Sequence, residues 1–224
     1  MPTGPLHRKF AGGLWIRGEQ IEEQVGDFTE FALKQNGFRP MEMDDARHRL
    51  FGLIRQTPHL DWLLLTKRPS VARDYLQSMY ENVTRPERAG GEEPLKNVWV
   101  GTSIENQTAL ERIMPLRESP AVVRFISFEP LLEDLGTIRG YLEQLTGGGD
   151  GAWAIIGCES GPRRRPCELE WVRAIVGECR SVGYKVFIKQ LSIGGKVVKN
   201  IDQFPADLQV RDFPDAQKEK TDEQ

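Results

Sequence analysis

Five short polar clusters follow five apolar runs in this chain, and they hold most of the side chains that could do chemistry. Lys67 and Arg68 follow Trp62–Leu65, Ser103 and Glu105 follow Val98–Val100, and Ser127 and Glu129 follow Val122–Ile126. Glu159 and Ser160 follow Trp153–Ile156, and Lys189 and Gln190 follow Lys185–Ile188. Three carboxylates facing several cations across one concave mouth would shift one another's pKa values, as acid–base and anion-binding sites do. The candidate ligand-binding residues are therefore Lys67, Arg68, Ser103, Glu105, Ser127, Glu129, Glu159, Ser160 and Lys189. Their types name no reaction, and no catalytic residue is assigned.

Narrower chemistries find little support. Gly157-Cys158-Glu159-Ser160-Gly161 has the glycine frame of a nucleophile elbow, but that motif needs serine where Glu159 stands. Cys158 or Ser160 as a nucleophile would need a basic partner, and the three histidines are His7, His48 and His59. His59 precedes an apolar run and so belongs at the opposite end of a sheet; His48 falls within a helical stretch. No Walker A or GxGxxG pattern is present. Cys158, Cys167 and Cys179 have eight and eleven residues between them, which fits no common metal or cluster spacing, so no metal site is expected. Cys179 shares an apolar stripe with Val172 and Val176 and reads as core. Arg163–Arg165 could grip a phosphate or a carboxylate, or simply line a solvated loop.

The elements that would carry these clusters alternate. The apolar runs are short and nearly continuous, as strands buried on both faces are. Between them lie helical periods: Val71, Tyr75 and Met79; Leu110, Ile113 and Met114, with Pro115 expected to end or kink that helix; Ile138, Tyr141, Leu142 and Leu145; and Glu168 to Val182, stopped by Gly183. Alternating strands and helices with right-handed crossovers make a parallel sheet or barrel, and the functional face lies at the strand C-terminal ends. The fold class is α/β, a partial TIM-like (βα) barrel of about five parallel strands with an N-terminal helical segment.

Upstream, residues 1–18 read as irregular with a strand stub at Leu14–Ile16, and Ile21, Val25, Phe28 and Ala32 predict a helix over Glu19–Lys34. A second helix, capped by Asp44 or Asp45, should bury Leu50, Phe51, Leu53 and Ile54. A strand stub is expected at Lys196–Lys199. The organisation is thus 1–45 as an irregular and helical extension, 46–205 as the partial barrel and 206–224 as a polar, disordered tail.

The bulk composition narrows the partners. At 224 residues, 39% hydrophobic and 28% charged, the chain has a globular composition. Its net charge of −3 gives no overall field for nucleic acid, which would need a local basic patch. No apolar run is long enough for a membrane span, and the N-terminus lacks an apolar signal core, so a cytoplasmic location is expected.

LLLTKRP (63–69), VWVGTSIEN (98–106), RFISFEPLL (124–132), WAIIGCESG (153–161) and VFIKQ (186–190) resemble consecutive strand-end motifs of an uncharacterised phage protein family. That family is radical-SAM-like and distantly similar to the spore photoproduct lyases. The resemblance covers about Arg47 to Pro205. It implies an incomplete barrel binding an iron–sulfur cluster and S-adenosylmethionine at the strand C-terminal ends. Ser103 and Glu105 would meet the cofactor ribose, and Lys67, Glu129 and Glu159 would face the same cavity. Longer members begin with a strand leading into three clustered cysteines, and no cysteine precedes Cys158 here. The expectation is a truncated or degenerate relative without its own iron–sulfur cluster, keeping a pocket for S-adenosylmethionine, a nucleotide or another anion. Two alternatives stand beside it: a non-catalytic phage-derived protein docking on a host or phage macromolecule, and a carboxylate- and lysine-based lyase or hydrolase. Without two earlier barrel strands, Trp62–Leu65 would leave an apolar sheet edge open. It is expected to be covered by the Glu19–Lys34 helix, a second copy or a protein partner.

Overall fold

The computed structural model describes residues 14–16, 19–21, 43–81, 94–146 and 152–214. Contacts within the chain divide it into Met1–Trp62 and Leu63–Gln224. In the first unit, β1 (Leu14–Ile16) pairs antiparallel with β2 (Glu19–Ile21). The expected helix therefore does not begin at Glu19; the rest of it, 22–34, lies outside the described residues. Helix α1 (Met43–Gln56) buries Phe51 and Ile54, but Leu53 is 48% exposed. Phe51 and Ile54 are three residues apart and share a face, whereas Leu53 is about 200° round the helix from Phe51. Thr57 closes α1: its hydroxyl donates to the Leu53 carbonyl at 2.9 Å and accepts from the Trp62 indole at 3.0 Å.

The second unit is organised on a six-stranded, mostly parallel sheet curled into a half-barrel. In order across the sheet run β3 (Trp62–Thr66), β4 (Val98–Ser103), β5 (Val123–Phe128), β6 (Ala152–Gly157), β7 (Lys185–Ile193) and β8 (Lys196–Val198). Strands β4 to β7 are parallel and β8 is antiparallel to β7. Spatial order equals sequence order, and helices fill the crossovers: α2 (Pro69–Glu81), α3 (Ile113–Glu118), α4 (Arg139–Thr146) and α5 (Leu169–Ser181). The predicted α/β partial barrel is the observed architecture. Pro115 sits in the first turn of α3 rather than at its end, because a 3-10 turn, Gln107–Arg112, precedes it; proline has no N–H to lose there. Among the described residues no helix is long and apolar enough to cross a membrane.

One face of the sheet carries an aromatic core of Trp99, Val123, Phe125 and Trp153, flanked by Ile155 and Phe187. Trp153 meets Trp99 edge-on at 5.9 Å and Phe187 at 6.0 Å, and its indole donates to the Asp212 carbonyl at 2.9 Å. Gly101 is the position that lets Phe125 lie flat: a Cβ there would stand 2.4 Å from the ring.

The two sheet edges are treated differently. Strand β7 is longer than predicted, and its outer edge is closed in two halves. Leu191–Ile193 pairs with β8, while Val186 and Ile188 exchange backbone bonds with Asp212 and Val210 at 2.8 and 2.9 Å. Residues 206–214, assigned to the polar tail from the sequence, therefore pack on the sheet, with Leu208 and Val210 buried. Arg211 holds the segment by donating to the Lys199 carbonyl at 2.7 Å while lying over the Phe187 ring. At the other edge, no described strand pairs with the outer side of β3, and Leu63 and Leu65 are 44% and 37% exposed. Among the described residues no strand covers this edge, and most of the Glu19–Lys34 segment expected to do so lies outside them.

Candidate functional site

The strand C-terminal ends are tied to one another in sequence, which fixes the spacing of the side chains they carry. The Thr102 hydroxyl donates to the Thr66 carbonyl at 2.9 Å, joining β4 to β3. The Leu132 N–H donates to the Glu105 carbonyl and the Leu131 N–H to the Gly157 carbonyl, both at 3.0 Å, so the turn after β5 holds the turns on either side. Cys158 and Gln190 close the last gap: Cys158 N–H to Gln190 carbonyl at 3.2 Å, and Gln190 side-chain N–H to Cys158 carbonyl at 2.7 Å. Gln190 lies within β7 and is buried, not in a turn after it as the sequence suggested.

Glu105 is the most demanding group on this rim, a carboxylate on a residue only 5% exposed. Lys67 pairs with its Oε1, and Arg112 Nη1 donates to Oε2 at 2.9 Å and to the Ser103 carbonyl at 2.7 Å. Burial alone would push the Glu105 pKa up, but the two cations outweigh it and hold the carboxyl below its usual range. Arg112 was not anticipated from the sequence. Its signal was Asn106, whose side chain accepts from the Ala109 N–H at 3.0 Å and starts the turn that brings Arg112 back over Glu105.

Glu129 depends on two backbone features. The β6–β7 register shifts between Ile156 and Gly157, so Ile156 faces Ile188 and Gly157 faces Gln190. Lys189 is the extra residue of this bulge, and its ammonium reaches Glu129 at 3.1 Å. Gly157 leaves room for the same carboxylate: a Cβ there would stand 2.7 Å from Glu129 Oε1. Gly157→Ala should therefore displace Glu129 and weaken the Lys189 pair, costing about 1–3 kcal/mol as an overpacking substitution. Thermal denaturation of Gly157→Ala against Gly157→Ala/Glu129→Ala checks this; a full loss that persists without the Glu129 side chain would rule the contact out as the cause.

Glu159 accepts a two-pronged bond from Arg165, Nε at 2.9 Å and Nη2 at 2.8 Å, and also the Arg165 N–H at 2.8 Å. The Glu159 carboxylate raises the pKa of the Arg165 guanidinium above its usual value. Ser103 and Ser127 face each other across β4 and β5 and are buried. Arg68 and Ser160 are exposed, and among the described residues they make no side-chain contact with these ion pairs. The rim thus unites Lys67, Glu105, Glu129, Glu159 and Lys189 of the predicted set, adds Arg112 and Arg165, and leaves Arg68 and Ser160 outside the network.

The cysteines do not suit a cluster. All three are buried and unpaired with one another, and burial pushes the Cys167 thiol up to about 12 and the Cys158 and Cys179 thiols upward as well. Among the described residues no three His, Cys, Asp or Glu side chains converge as metal ligands. An iron–sulfur cluster does not fit these residues. His48 and His59 belong to the Met1–Trp62 unit.

A family model described as "Protein of unknown function (DUF5131)" matches residues 36–219. The chain belongs to this family. The DUF5131 match takes in all six strands of the sheet and every residue of the rim. No curated protein and no solved structure matches the chain.

Proposed function

We propose that the strand-end rim binds a small ligand with both cationic and anionic groups, of S-adenosylmethionine or nucleotide type, on a barrel of radical-SAM kind without a cluster of its own. The observation that carries this reading is Glu105, buried between Lys67 and Arg112 with two further carboxylate–cation pairs at the neighbouring strand ends. Taking a carboxylate out of water costs several kcal/mol, and replacing such a group by an apolar one is often neutral or stabilising. A charge network built around one buried carboxylate at the C-terminal ends of parallel strands, where ligand sites concentrate, is better accounted for by recognition than by stability.

The lyase or hydrolase alternative finds less support. A general acid needs a raised pKa, and Glu105 is held in the opposite direction. The docking alternative draws on the exposed Leu63 and Leu65 at the β3 edge. Leu63→Lys/Leu65→Lys should abolish any self-association seen by sedimentation; if the variant and the parent sediment alike as monomers, the edge recruits no second copy.

A thermal-shift series with S-adenosylmethionine, S-adenosylhomocysteine, adenosine, AMP and ATP tests the main reading. A ligand at about 100 times its Kd should stabilise the protein by about 2.7 kcal/mol. No shift with any of the five overturns the proposal. Iron and sulfide analysis after anaerobic reconstitution tests the remaining part; stoichiometric uptake of a cluster would refute its absence from the mechanism.

A further inference from the structure

Beside the rim, between the segment Pro162–Glu170 and the β7–β8 turn, lies a groove of about 550 Å³. It falls within the range of small-molecule sites, about 300–1,000 Å³. Arg164, Arg165, Cys167, Ser192, Gly194 and Gly195 contribute to its lining. Arg165 belongs to both places, since it lines the groove and its guanidinium is fastened to Glu159 of the rim. The groove and the rim are therefore neighbours through one side chain.

We infer that this groove seats the phosphate-bearing part of the ligand whose other end lies on the rim. Both arginines are fixed in place. Arg164 spans the groove, donating through Nη1 to the Gly161 carbonyl at 3.1 Å and through Nη2 to the Gly195 carbonyl. Arg165 is held by two side-chain bonds to one carboxylate. A guanidinium has five N–H donors. These bonds use two on each arginine, so both keep donors for an incoming anion without a further loss of side-chain freedom. Two planar, pre-positioned guanidinium groups suit phosphate oxygens better than a single mobile ammonium does. Further along the same wall, Glu170 is paired with Arg173 at 3.1 Å, and Glu168 is exposed. The anion is therefore placed at the Arg164–Arg165 end, away from Glu168.

This inference rests on the rim reading, and the ligands chosen separate the two. Inorganic pyrophosphate addresses the groove alone, adenosine the rim alone, and AMP both. Calorimetric titration of the full chain with pyrophosphate should show binding that weakens with added salt. Arg164→Gln and Arg165→Gln should each weaken it about tenfold, the loss of one charge-assisted contact. Glu168→Gln should tighten it. If Arg164→Gln unsettles the β7–β8 turn, as a fall in melting temperature would reveal, Arg165→Gln and Glu168→Gln decide the matter. Absence of pyrophosphate binding, or binding indifferent to both arginines and to Glu168, overturns the groove assignment. Pyrophosphate binding without any response to S-adenosylmethionine, S-adenosylhomocysteine or adenosine, which carry no phosphate, would uphold the groove and remove the rim; the converse would uphold the rim and remove the groove.

Discussion

Glu105→Gln is expected to destabilise the protein by about 2–3 kcal/mol at neutral pH, and the loss should shrink as the medium is acidified. Removing one partner of a buried ion pair costs about 3–5 kcal/mol when the other charge is left buried. Here the penalty is reduced, because the Lys67 side chain is 51% exposed and Arg112 keeps its bond to the Ser103 carbonyl. The pH dependence follows from direction alone. The folded-state pKa of Glu105 lies below its ordinary value, so its ionised form is favoured by folding. That contribution is complete above the unfolded-state value of about 4.3 and is lost as pH falls through the folded-state value. Glutamine cannot titrate, so the parent should approach the variant at low pH. Urea denaturation of both proteins from about pH 3 to about pH 7 measures the gap. A gap constant across that range would show that Lys67 and Arg112 do not act on an ionised Glu105.

Trp153→Ala should be the most damaging single change in the sheet, costing about 3–5 kcal/mol, the range for deleting a buried aromatic side chain. Trp153 is 4% exposed and stands at the middle of the aromatic core, in ring contact with Trp99, Phe125, Phe187 and Phe213. Its indole also holds the chain beyond β8 through the Asp212 carbonyl. Trp153→Phe should recover much of the packing while losing that hydrogen bond, whose net worth is about 1 kcal/mol. Chemical denaturation of the two variants separates packing from anchoring. If Trp153→Phe were as unstable as Trp153→Ala, the anchor rather than the core would be the main contribution.

The barrel was legible because its strands are short apolar runs and its helices keep a clear 3.6-residue period. The rim was legible because each run ends abruptly in charged residues. What escaped depended on partners distant in sequence. Nothing near Lys189 announces a bulge, since the register shift arises between β6 and β7. The contact of Gly157 with Glu129 joins two turns that only folding brings together. Val210 and Phe213 lie in a polar-looking segment, and their role becomes clear only from the unpaired outer side of β7. Leu53 lies next to Ile54 in sequence but off the face that Phe51 and Ile54 share, and an unbroken apolar run does not show which of its residues turn outward.

The aromatic core draws one residue or more from each of β4, β5, β6 and β7, and is finished by Phe213, whose ring lies 5.3 Å from Phe187. Strand order follows chain order, so during synthesis each strand can dock on the one before it. The cluster, however, is shared across the whole series and completed only by its last segment. Growth of the sheet is therefore vectorial while its consolidation is collective. A nascent chain halted before Asp212 would hold its strands in order around a tryptophan still lacking its final wall and its hydrogen-bond acceptor.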